Sequence, residues 1–257
     1  MGKTEHGDLT QIHHEILRTV VGSGVHGIAI AGLDDHDEMG IYIEPPEAVL
    51  GYANRRDNYV WRTQPEGVRS GPGDTDLVMY SLARYLALAT KGNPTVLVPL
   101  FAPTVSVLAC DTLGLELRWM RDAFLSQQAV HRFLGYMEGQ RTRMMGGGKR
   151  NRVPNRPELI ERYGWDVKYG SHALRLALQG LEIAVHHRLT LPMVMSHRDL
   201  VLSVKRGEIP RDEVDRLIQE LERQTTSALK SSDLPPQADT ERITAWAVQA
   251  QRRAWGW

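Results

Sequence analysis

Gly22-Ser23-Gly24-Val25-His26-Gly27, followed by Asp34-Asp35-His36-Asp37 and then by Glu38-Met39-Gly40-Ile41-Tyr42-Ile43, is the stretch that decides how this chain folds. A Gly-Ser turn presents backbone N–H groups that cradle anionic oxygens, and carboxylates one residue apart on a strand share a face. Asp35 and Asp37 are therefore placed to hold a divalent cation together. A further carboxylate, Asp76, enters the strand-like run Leu77-Val78-Met79-Tyr80, with Asp74 as its competing neighbour. Three acids on neighbouring strands form a donor set suited to two-metal phosphoryl chemistry. Gly22 and Ser23 add a phosphate cradle beside them.

Spacing eliminates the competing motifs. Gly22, Gly24 and Gly27 satisfy G-x-G-x-x-G, but only Ile28 to Leu33 separate the last glycine from the acids, too little for a crossover helix. A P-loop needs Lys and then Ser or Thr after Gly27, where Ile28 and Ala29 stand. An EF-hand begun at Asp35 puts Pro46 where the bidentate Glu belongs. His14-Glu15 lacks the second histidine of a zinc-protease helix, since Arg18 occupies that place.

Composition narrows the class further. The 257 residues suffice for one large domain or two modest ones, and 31 Lys plus Arg balance 31 Asp plus Glu, so no global basic field draws in nucleic acid. Cys110 is the single cysteine, which excludes an internal disulfide and suits a reducing cytoplasm. The N-terminal segment, with Lys3, Glu5 and Asp8, does not read as a signal peptide. The longest apolar run, Thr95 to Cys110, is broken by Pro99 and Pro103, so no membrane span is expected.

Leu9, Ile12, Ile16, Leu17 and Val20 recur at helical spacing and predict a first helix running into Gly22. Strands are expected at 25–31, 38–43, 58–62 and 75–80, a Gly/Ser/Pro loop at 67–73 and a helix at 81–91. Beyond Pro103 the pattern turns helical, with helices expected near 119–126, 127–144, 156–163, 167–188, 197–205, 210–227 and 238–254. The reading is an α+β protein: a small mixed sheet domain over 1–103 and a helical domain over 104–257. Arg141, Arg143, Lys149, Arg150, Arg152 and Arg156 surround Gly146-Gly147-Gly148 and read as a solvated basic loop, or as a flap that follows a nucleic acid backbone. On the helix from Val167, Lys168, His172, Arg175, Gln179 and Glu182 share one stripe, opposite Leu174, Ala177, Leu178 and Leu181. The stripe is a solvated face or an anion-binding one. Ile243, Trp246, Ala247, Ala250 and Ala254 mark a docking face on the last helix, and the methionines at 79, 120, 137, 144, 145, 193 and 195 are expected to fill core gaps.

Gly22-Ser23, Gly27, Asp35-x-Asp37 and Gly40-Ile41-Tyr42 together resemble the signature of the DNA polymerase β nucleotidyltransferase superfamily. More narrowly, Tyr80-Ser81-Leu82 with Leu86, Lys91-Gly92-Asn93-Pro94 and Leu100-Phe101-Ala102-Pro103 are similar to nucleotidyltransferases linked to RNA repair in bacteria and tailed phages. Gly135-Tyr136 with Gln140, and Lys168, His172 and Arg175-Leu176, extend the likeness over most of the chain. Val98 stands where those relatives frequently carry Glu, which leaves Asp76 as the better third ligand. The resemblance implies transfer of a nucleoside monophosphate from an NTP, ATP among them, to an acceptor hydroxyl with release of pyrophosphate. It implies two Mg²⁺ ions, or Mn²⁺ in their place, on Asp35, Asp37 and Asp76, with Gly22 and Ser23 on the phosphates. It also implies a helical part that covers the nucleotide, with Lys168, His172 and Arg175 as nucleotide contacts, and an RNA acceptor, a tRNA end being the natural one. Nucleotidylation of a protein or small molecule, and an inactive nucleotide- or RNA-binding protein, are the alternatives.

Overall fold

The computed structural model describes residues 12–32, 34–52, 56–65, 67–147 and 156–257. In chain order the sheet-bearing part contains β1 (Glu15–Val20), α1 (Gly22–His26), β2 (His36–Tyr42), α2 (Pro46–Leu50), β3 (Asn58–Arg62), β4 (Thr75–Ser81), α3 (Leu82–Ala89), α4 (Val98–Phe101), β5 (Val107–Cys110) and α5 (Thr112–Trp119). Helices α6 (Gln127–Met144), α7 (Pro157–Tyr163), α8 (Val167–His186), α9 (Met195–Lys205), α10 (Arg211–Leu229) and α11 (Thr240–Trp255) follow. A mixed sheet succeeded by helices is the α+β class that the sequence predicts.

Among the described residues, five strands form one sheet in the order β3-β4-β2-β1-β5. β2 and β4 run parallel, and every other neighbouring pair is antiparallel. This arrangement corrects the expected first helix where it is described; Leu9 lies outside the described residues. Residues 15–20 form a central strand rather than the end of a helix, because β2 and β5 pair along its two edges. Its adjacent Ile16 and Leu17 are both fully buried, so both faces of the strand are covered and its apolar pattern does not alternate. Residues 25–31 are the second correction: instead of a strand, the chain makes the single turn of α1, stopped by Gly27 in the left-handed region at φ 73°. The Ile28 N–H returns to the Ser23 carbonyl at 3.1 Å, a reversal too tight for a strand.

After Pro103 the chain adds β5 to the free edge of β1 before α5 begins, two elements missing from the expected pattern. Asp111 caps α5 by accepting the Gly114 N–H at 2.8 Å. A Cβ on Gly114 would lie 2.0 Å from the Ile16 carbonyl oxygen, so glycine is what lets this helix rest on the β1 backbone. The helix expected at 119–126 is reduced to a 3₁₀ turn, Arg121–Phe124.

The chain forms two units, Met1–Phe124 together with Ala238–Trp257, and Leu125–Gln237. This division differs from the boundary expected at Pro103, because residues 104–124 complete the sheet and α11 returns to it. Trp246 Nε1 donates to Glu116 Oε2 at 3.1 Å, the Arg253 guanidinium pairs with Glu116 at 2.9 Å, and Trp255 Nε1 donates to the Glu44 carbonyl at 2.9 Å. With Ile243 and Ala250 buried, α11 has the docking face that its stripe predicts.

In the second unit α8 packs against α6, α9 and α10. Asp166, itself buried, caps α8 through the Lys168 N–H at 3.0 Å and pairs with the buried Arg156 at 3.0 Å. Met79, Met120, Met137, Met144 and Met193 are buried as expected, whereas Met145 and Met195 are exposed. No helix among the described residues is long and apolar enough to cross a membrane.

Candidate active site

β2 and β4 lie side by side with Asp37 and Asp76 directly opposite each other. Asp35, two residues before Asp37, shares its face, and one carboxylate oxygen from each of Asp35, Asp37 and Asp76 lies within 4.8 Å of the other two. All three residues are half-buried. The turn after β1 delivers Gly22 to the same corner: the Val21 N–H donates to the Asp37 carbonyl at 2.8 Å, and a Cβ on Gly22 would stand 2.1 Å from Asp37 Oδ2. The missing side chain at Gly22 is thus the space that the Asp37 carboxylate fills. Ser23 follows at the start of α1.

Three carboxylates drawn this close repel one another, and a cation held among them relieves that repulsion. The donors are hard anionic oxygens, the set that Mg²⁺, Mn²⁺ or Ca²⁺ prefers, so the residues fit a divalent ion of that kind. Asp74, the competitor of Asp76, is otherwise engaged. Its Oδ1 accepts the Thr63 hydroxyl at 3.0 Å and its Oδ2 the Gly71 N–H at 2.9 Å, closing the turn into β4.

Three residues around Asp76 escaped the sequence reading. Arg62 Nε lies 3.3 Å from Asp76 Oδ1, Gln64 Nε2 donates to the same oxygen at 2.9 Å, and the Ser70 hydroxyl donates to Oδ2 at 2.5 Å. Pairing β3 with β4 as a hairpin places Arg62 opposite Asp76, so that cation was within reach of a cross-strand argument. Gln64 and Ser70 sit in irregular chain, where no periodicity announces them.

Lys168, His172 and Arg175 belong to the second unit and form a cluster of their own. Their stripe is half-buried rather than solvated, and Gln179, in the same row, is buried and accepts from Arg175 Nη1 at 2.9 Å. Burial lowers the Arg175 guanidinium to about 10, which leaves it charged at neutral pH. Burial, followed by the fields of Arg175, Lys168, Arg156 and Lys205, holds the His172 imidazole well below its ordinary value, so the ring is neutral. Of the basic-loop residues, Arg141 forks onto Asp215 of α10 at 2.6 and 3.2 Å, and Arg143 and Arg156 lie over the Tyr169 ring at 6.0 and 5.1 Å. Lys149, Arg150 and Arg152 lie outside the described residues.

The neutral His172 has a consequence for stability. Its folded pKa is below the unfolded value of about 6.5, so the unfolded chain takes up a proton that the native one refuses. Stability is therefore complete above about pH 6.5 and falls as the pH drops below it. His172→Gln should shrink the loss in urea-unfolding free energy between pH 7.5 and 5.5 by about 1 kcal/mol relative to wild type. Parallel losses in the two proteins would show that His172 titrates normally.

Residues 1–249 match the RNA repair pathway DNA polymerase beta family. Among solved structures, a nucleotidyltransferase-like protein from Exiguobacterium sibiricum is similar over 83% of this chain and 69% of its own, with 11% identity and a TM-score of 0.34. No curated protein matches the chain. With a match over nearly its whole length, the chain belongs to the RNA repair pathway DNA polymerase beta family and is a nucleotidyltransferase of that kind.

Proposed function

We propose that this enzyme moves a nucleoside monophosphate from an NTP to a hydroxyl at an RNA end, with tRNA as the natural acceptor, and releases pyrophosphate. The observation that carries the reading is the convergence of Asp35, Asp37 and Asp76 within 4.8 Å beside Gly22. These three carboxylates would hold Mg²⁺, or Mn²⁺ in its place. When bound, the ions offset the charge of the triphosphate and favour ionisation of the acceptor hydroxyl. Backbone N–H groups at Gly22 and Ser23 hold the β- and γ-phosphates, which keeps the α-phosphate beside the acids. Asp76 receives the hydrogen bond of the incoming hydroxyl and aligns it for attack. Within the second unit, Lys168 and Arg175 of α8 are cationic donors suited to phosphate oxygens, and neutral His172 adds an N–H without adding charge, so this cluster is by itself a candidate for nucleotide contact. The family's place in RNA repair supports a nucleic acid acceptor, and the balanced net charge requires that its contacts be local.

The test is to incubate the full chain with NTPs radiolabelled at the α-phosphate and a tRNA mixture, with Mg²⁺ or with EDTA. Label should enter RNA only when Mg²⁺ is present, together with stoichiometric pyrophosphate. Nucleotide binding without incorporation would overturn the transferase reading, and incorporation in EDTA would overturn the role of the three acids.

A further inference from the structure

Ser70 stands where the reading above puts an acceptor hydroxyl. Its Oγ donates to Asp76 Oδ2 at 2.5 Å and accepts from Gln64 Nε2, also at 2.5 Å. The polarity of this pair is forced, because an ionised carboxylate only accepts and an amide nitrogen only donates. The single Ser70 hydrogen therefore faces Asp76. Gln64 is 6% exposed and reaches Asp76 Oδ1 with the same nitrogen at 2.9 Å, so one buried amide fixes hydroxyl and carboxylate together. A hydroxyl oxygen has two acceptor lone pairs, and Gln64 engages one of them; the other is available to an electrophile.

We propose that Ser70 is a second acceptor of this enzyme, nucleotidylated in cis at the same three acids. The proposal rests on the transferase reading. In the step, Ser70 Oγ forms a bond to the α-phosphorus of an NTP, and the bond from that phosphorus to the oxygen bridging to the β-phosphate breaks. Pyrophosphate leaves with the bonding pair, and the hydroxyl proton passes to Asp76 Oδ2. The product is a phosphodiester between Ser70 and one nucleoside, formed without an oxidant or a reductant.

Physical chemistry favours the reaction when RNA is scarce. A hydroxyl tethered one hydrogen bond from the acids has an effective concentration far above that of any dissolved acceptor. Gly67 and Gly73, at φ 81° and 90°, bracket Ser70 in conformations that glycine adopts at no steric cost, which suits a segment that must also yield its place to RNA. Once modified, Ser70 would carry a bulky anion against Asp76 and block the position. The modification would thus act as a brake on transfer to RNA.

The test uses the full chain incubated with α-phosphate-labelled NTPs and Mg²⁺, with and without the tRNA mixture, then denatured for intact-mass measurement and peptide mapping. The expected result is a mass gain of one nucleoside monophosphate per chain, mapped to the peptide that contains Ser70 and reduced when tRNA is added. Ser70→Ala should lower the protein label at least tenfold, and Ser70→Thr should retain it. Label in RNA with an unmodified protein mass overturns this proposal and leaves the transferase standing. An adduct on another residue, undiminished in Ser70→Ala, also overturns it. Label in neither RNA nor protein removes both.

Discussion

Asp37→Asn is expected to lower nucleotidyl transfer by about a thousandfold or more while leaving the protein folded and no less stable. The substitution keeps the shape of the side chain and removes one anionic oxygen from the cluster at which β2, β4 and the Gly22 turn meet. Loss of a single preorganised electrostatic contact to developing charge already costs on the order of 10²–10³ in rate. Asp37 is expected to serve both the cation and the triphosphate. The stability side follows from the same geometry. Two like charges about 5 Å apart repel by roughly 1–3 kcal/mol between the dielectric limits of a protein surface and of water. The Arg62 guanidinium beside Asp76 offsets part of this. Neutralising one member should therefore hold the melting temperature of the metal-free protein constant or raise it by a few degrees. Added Mn²⁺ should raise the melting temperature of wild type and not of the variant, by mass action on the native state. Turnover within tenfold of wild type would mean that the three acids are not the reacting centre.

Gly22→Ala should be nearly as damaging for a different reason, and Gly32→Ala separates the causes. Both glycines have positive φ, 63° and 76°, so an alanine at either pays about 1–2 kcal/mol for the left-handed conformation. The surroundings differ. A Cβ at Gly32 meets nothing within 4 Å, whereas at Gly22 it would stand 2.1 Å from Asp37 Oδ2 and 2.9 Å from Asp37 Cγ. Asp37 must then leave its rotamer, and with it the cluster. The expectation is a stability loss by urea unfolding at least as large in Gly22→Ala as in Gly32→Ala, and a loss of transfer of more than a hundredfold in Gly22→Ala alone. Equal activity in the two variants would disconnect the Gly22 turn from the chemistry.

How far the sequence alone led depended on how local each signal was. The helix at 127–144 was readable to the residue, since an 18-residue amphipathic run after Ser126 carries its own cap and period. The nearness of Asp35 and Asp37 is legible because face-sharing follows from strand geometry, whereas the residues alone leave Asp74 and Asp76 open, and Asp76, which lies beside the other two, is preferred through the resemblance. β1 is ambiguous in sequence: Ile16 and Leu17 satisfy a helical period as well as they satisfy a strand covered on both faces, and only pairing with β2 and β5 decides. α1 is hidden in sequence because Val25 and Ile28 are buried anchors of a reversal, so their apolar character carries no period. Gln64 and Ser70 were invisible for a third reason. Polar residues in aperiodic chain acquire meaning only from the carboxylate that the fold brings to them.

The return of α11 to the sheet also orders the birth of the protein on the ribosome. Residues 125–237 form one compact unit that is continuous in sequence, so its own contacts can form once Gln237 has been made. The sheet-bearing unit draws on tryptophans 246 and 255 and on the guanidinium of Arg253, all made after Gln237, for its bonds to Glu116 and the Glu44 carbonyl. A nascent chain therefore carries its acids early but completes the unit that holds them only after the other unit has been made.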